Sequence, residues 1–138
     1  MDPLLDLAKK EVRISEHILS ITMDMLNDKK LLLSATNHIE KAIDYIMDYY
    51  VKKSKKYLPS NKELKKRMFI ENFAENQQII EIMKKVDNIK ETKKREQISF
   101  IRGRDVVILT NNYNTKVIKE EDIKEILKEL KNFLSVVE

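Results

Sequence analysis

One glycine, Gly103, and two prolines, Pro3 and Pro59, are the only strong chain breakers in 138 residues. Folds rich in strands and loops need far more of both at their turns, so the scarcity predicts long helices. Apolar periodicity places them. Helix A is expected over residues 3–26, with Pro3 in the first turn and Asp2 as N-cap. Its apolar arc, built on Leu5, Val12, Leu19 and Leu26 and on Leu7, Ile14 and Ile21, is about 200° wide against roughly 100° for an ordinary surface helix. Such a helix needs more than one neighbour. After a break at Asn27-Asp28, helix B is expected from Lys29 to Lys56. The short connection makes A and B an antiparallel hairpin.

Pro59-Ser60-Asn61 ends helix B and offers Ser60 or Asn61 as the next N-cap. Helix C is expected over 61–90, with a break favoured near Ala74-Glu75-Asn76 because Asn caps helices better than it continues them. Beyond Arg95 the pattern changes. Two β-branched runs, Asp105–Thr110 and Thr115–Ile118, flank four turn residues, Asn111-Asn112-Tyr113-Asn114, and read as a β hairpin. Helix D closes the chain over 119–137 on the stripe Ile123, Ile126, Leu127, Leu130, Phe133 and Leu134. The expected fold is a mostly α, up-and-down bundle of four or five helices in one domain, residues 1–138, with a small β hairpin before the C-terminal helix.

Composition then restricts the chemistry. The absence of Cys excludes a disulfide framework, a thiolate metal site and a Cys nucleophile. A lone Gly excludes phosphate-binding glycine loops. Two His, His17 and His38, exclude a histidine-rich metal centre, and neither a metal nor a cofactor is expected. No apolar run approaches the roughly 18–20 residues of a membrane span. Charges interrupt residues 1–26 too often for a signal peptide, so a cytoplasmic protein without membrane contact is the expectation.

The net charge of +4 is unevenly placed. Residues 52–67 carry +7 and residues 84–104 carry +5, against −8 elsewhere. The first block holds Lys52, Lys53, Lys55, Lys56, Tyr57, Lys62, Lys65, Lys66 and Arg67. The second holds Lys84, Lys85, Lys90, Lys93, Lys94, Arg95, Arg102 and Arg104. Lysines interleaved with tyrosines can neutralise phosphates and stack bases. On one unbroken helix C the blocks would stand roughly 35 Å apart. A reversal near Asn76 would bring them together. The bland reading is a solubilising lysine-rich surface.

The order of elements resembles the HEPN superfamily of helical bundles in a small archaeal-type version. The stretches Leu7–His17, Asn37–Ile46 and Arg104–Leu109 with Ile123–Leu127 carry the resemblance. Catalytic members are metal-independent ribonucleases with an Arg-x(4–6)-His motif assembled across a dimer. Here the nearest approach is Arg13-Ile-Ser-Glu-His17, with three intervening residues. His38 has no Arg at suitable spacing before it. The resemblance therefore implies a fold and a homodimer, and it leaves Arg13, His17 and His38 as the catalytic candidates.

Two further groupings stand out. Glu11 falls inside the apolar arc of helix A, where an unpaired carboxylate is costly, and is expected to pair with His38 or a tyrosine of helix B. Glu40, Asp44 and Asp48 form an acidic stripe on helix B that reads as a solvated face. The expected function is a non-catalytic RNA-binding or partner-binding module. The alternatives are a divergent HEPN-type ribonuclease and a toxin–antitoxin or nucleotidyltransferase companion.

Overall fold

The computed structural model describes residues 2–55, 59–73 and 76–137, and the chain is mostly helical. Asp2 starts the first helix, its carboxylate accepting from Leu4 N at 2.8 Å, and Pro3 takes the first turn. Helix α1 (Pro3–His17) passes through a π-helical turn (Ile18–Thr22) into α2 (Met23–Leu26). That turn inserts one residue and rotates α2 relative to α1 by about 100°. The expected stripe therefore changes phase: Leu5, Val12 and Leu19 are buried, Met23 joins them, and Leu26 stays 69% exposed. Asn27 ends the segment in the left-handed conformation (φ 37°), which Asn tolerates better than most residues.

Helix α3 (Lys29–Lys55) is the central element, against which α1, the later helices and the strands pack. Small residues let α1 and α3 approach closely: Ala8, Ser15, Ala35 and Ala42 are all fully buried, and Ser15 Oγ donates to Ala35 O at 2.9 Å. The expected end of this helix at Lys56 lies outside the described residues.

Asn61, rather than Ser60, caps α4 (Lys62–Phe73), its side chain accepting from Leu64 N at 3.0 Å. Asn76 caps α5 (Gln77–Lys94) by accepting from Ile79 N. The break in helix C is thus present, and both new helices contact α3.

The expected hairpin is two of three strands. β1 (Glu96–Arg102), β2 (Asp105–Thr110) and β3 (Thr115–Ile118) form an antiparallel sheet in the order β1-β2-β3. Gly103 (φ +64°) opens the two-residue turn between β1 and β2, the place where glycine relieves backbone strain in a tight hairpin. The inner face, with Val106, Ile108 and Ile118, joins the helical core. β1 contributes little to it: Ile98 and Phe100 point outward, 61% and 51% exposed. Its outer edge is closed by Lys29, which donates to Ser99 O at 2.7 Å, and near the turn by Asn27, which donates to Gly103 O at 2.9 Å. Capping of this kind blocks edge-to-edge pairing.

Asp105 Oδ1 accepts from Glu120 N at 3.0 Å and so supplies α6 (Glu120–Val136) with a cap from the neighbouring strand. All six residues of the predicted stripe on α6 are buried. Among the described residues, no helix is long and apolar enough to cross a membrane, and no group of acidic and histidine side chains is placed to hold a metal ion.

Candidate nucleic-acid interface

The break at Asn76 decides the geometry of the basic blocks. It folds α5 back beside α4, so Lys66 Nζ lies 2.5 Å from Asp87 Oδ2. Between the two helices, and floored by α3, runs a groove of about 240 Å³. Lys62, Lys65 and Lys66 line one wall and Lys90 and Lys94 the other, while Ile43, Met47, Met83 and Val86 give it an apolar floor.

The acidic stripe of α3 is not a solvated face. It is a seam of ion pairs that ties down both neighbouring helices. Asp48 pairs with Lys65 of α4 at 2.5 Å. Glu40 pairs with Lys93 of α5 at 2.8 Å, and Lys93 also donates to Thr36 and Asn37. Asp44, between these pairs, has no direct ion-pair partner among the described residues. Burial pushes its carboxyl above the ordinary range, and the charges of Lys65, Lys90 and Lys62 oppose that shift.

Several predicted phosphate contacts are therefore committed internally. Lys93 and Lys65 hold helices together. Arg104 holds the first helix to the last: it donates to Glu120 at 2.6 Å, to Asp24 at 2.8 Å and to Leu19 O at 3.0 Å. The Leu19 carbonyl belongs to the π-turn, where the regular backbone ladder is disturbed. Arg95 forms an exposed pair with Glu91 at 3.6 Å. Lys52, Lys53, Arg67, Lys94 and Arg102 remain exposed. The side chain of Lys55, and the whole of Lys56 and Tyr57, lie outside the described residues.

The aromatic half of the expected pattern is placed differently. Tyr45, Tyr49 and Tyr50 pack on the core, and Tyr50 meets Phe69 and Phe133 at centroid distances of 5.9 and 6.3 Å. Tyr113, at the tip of the β2–β3 loop, is 86% exposed. Its position in an Asn-rich turn was the available sequence signal for that exposure.

The histidine candidates are not brought together. Arg13 and His17 are both exposed. His38 Nδ1 lies 2.5 Å from Glu11 Oε2, a partly buried pair across α1 and α3. Arg13 stands two residues after Glu11, about 200° around the helix, so it faces away from that pair. No acid–base constellation forms from these three residues within one chain. No protein-family model, curated protein or solved structure matches the chain.

Proposed function

We propose that this protein is a non-catalytic RNA-binding module, built as a HEPN-like up-and-down bundle, that holds RNA by its phosphates. The observation that supports this reading is the fold-back at Asn76. It sets Lys62, Lys65 and Lys66 opposite Lys90 and Lys94 across one groove, with Arg67 exposed beside it. Contacts of this kind carry little sequence preference and release counterions on binding. With four single-strand phosphate contacts, from Lys62, Arg67, Lys90 and Lys94, affinity should fall about fiftyfold between about 50 and 200 mM salt. A titration with labelled single-stranded RNA at the two salt concentrations checks this, and absence of binding at the lower one rejects it. The RNA should emerge intact. Cleavage lost in His17→Ala or His38→Ala would favour the divergent ribonuclease instead.

A second observation supports self-association. Leu7 of α1, Ile21 of the π-turn, and Met25 and Leu26 of α2 leave apolar side chains exposed. Burying these side chains between two copies would remove them from water. Light scattering after gel filtration is expected to give twice the chain mass of 16.4 kDa. A monomer at that mass would refute the dimer.

A further inference from the structure

Tyr113 occupies a backbone position that favours Gly or Asn. Leu109 pairs with Thr115, and Thr110 N donates to Asn114 O at 2.9 Å, so Asn111, Asn112 and Tyr113 form a three-residue hairpin loop. Such loops commonly end in a left-handed residue, where a bulky side chain is strained. Here that residue is Tyr113, at φ 63°. The ring gains no burial in return, since it is 86% exposed. Nor is the loop loosely tied. Tyr113 N donates to Thr110 O at 3.0 Å, and the buried Thr110 hydroxyl meets both Asn112 Oδ1 and Asn114 O. A strained aromatic residue held at a firm tip without a packing role points to a ligand.

The neighbours of the ring define that ligand. Asn111, Asn112 and Asn114 are exposed beside it in the chain. An apolar protein surface laid on the loop would strip these amides of water without replacing their hydrogen bonds. An unpaired nucleobase offers a π-face to the ring and a polar edge to the amides. The loop also lies on the basic side of the molecule. Asn111 N donates to Arg95 O at 2.9 Å and fixes the loop to the C-terminal end of α5. Through that bond, covalent geometry keeps the Cα of Tyr113 within about 18 Å of the Cα of Lys94, on the wall of the α4–α5 groove. A cleft of about 160 Å³ between the loop and α5 is lined by exposed Arg95 and Lys116, and the acid of its lining, Glu91, pairs with Arg95. We infer that Tyr113 is a stacking platform for an unpaired base, and that the RNA is single-stranded where it crosses this loop. The inference rests on the RNA-binding reading above. Bases inside a duplex stack on one another and offer no face to the ring.

Tyr113→Gly separates ligand binding from stability, because Gly suits the left-handed backbone and has no ring. The test uses the full chain at about 50 mM salt, with a labelled unstructured single-stranded RNA and the same strand annealed to its complement, read by fluorescence anisotropy. In Tyr113→Gly, affinity for the single strand should fall about tenfold, the worth of one base stacked on an aromatic ring. Affinity for the duplex should stay the same, and the melting temperature should equal or exceed that of the natural protein. Tyr113→Phe keeps the ring and should keep the natural affinity for the single strand. Natural affinity in Tyr113→Gly overturns the inference and leaves RNA binding standing. So does an equal loss on single strand and duplex, which would make the ring a general surface contact. A lower melting temperature in Tyr113→Gly would assign the ring to the fold and overturn its assignment to a ligand. Tyr113→Phe as weak as Tyr113→Gly would place the contact on the hydroxyl and overturn stacking. Failure of the natural protein to bind either RNA removes both readings.

Discussion

Phe69→Ala is expected to destabilise the protein by about 3–5 kcal/mol, the cost of deleting a fully buried aromatic ring together with the cavity it leaves. Among the described side chains of α4, Phe69 alone is completely buried, at 0% exposure, and it sits against Tyr50 at a centroid distance of 5.9 Å. Leu64 and Ile70 on the same helix are exposed, so they cannot replace it as anchors. Among the described residues Met68 is only partly buried against the core, and the partly solvated Lys65–Asp48 and Lys66–Asp87 pairs contribute little alone. Loss should therefore fall first on α4, which would open locally before the rest unfolds. Chemical denaturation reads the stability, and hydrogen exchange reads the order of opening. A change below about 1 kcal/mol would show that the ring does not hold α4 in place.

Arg104→Met should cost about 2 kcal/mol, since one guanidinium serves three acceptors, Leu19 O and Asp24 in the first helical segment and Glu120 at the start of α6. The Arg104 side chain is one-third exposed, so solvent screens its charge and limits the loss. Glu120 is buried and among the described residues would keep only Lys124, at 3.2 Å and on its own helix, as an ion-pair partner. Arg104→Lys should lose most of the same stability, because a single ammonium cannot reproduce a fork aimed at Glu120, Asp24 and the Leu19 carbonyl together. Thermal denaturation of both variants checks this. Lys rescuing the full stability would mean that charge alone, and not the three-way geometry, matters at this position.

Arg104 also shows where sequence reading stops. In the chain it is one more cation in a basic block, next to Arg102 and fully available to a phosphate. Nothing local distinguishes the two. Arg102 remains exposed, whereas Arg104 reaches back 85 residues to the Leu19 carbonyl. Lys93 and Lys65 repeat the lesson, as each is held by an acid on α3. β1 escaped sequence detection for a different reason. Ile98 and Phe100 face solvent, and Ile101 on the inward face is only partly buried, so the strand lacks a core-facing run of its own. The signal that was available is Gly103, the sole glycine, set between two β-rich segments where a two-residue turn requires it.

The helices were legible because their determinants are local. The 3.6-residue period of α6, the Asp2 and Asn76 caps and the break at Asn27 each involve residues within a turn or two of one another, and their physics does not depend on the rest of the chain. The overall charge and its division into two blocks are likewise fixed by the order of residues. Only tertiary structure decided which charges remain free for a ligand. Whether a lysine faces solvent or a carboxylate depends on which helices lie side by side, and electrostatic energy depends on distance in space and burial, not on separation along the chain. The fold-back at Asn76 and the acidic seam on α3 settled that together. They consumed Lys65, Lys66 and Lys93 and left Lys62, Lys90 and Lys94 exposed along the groove.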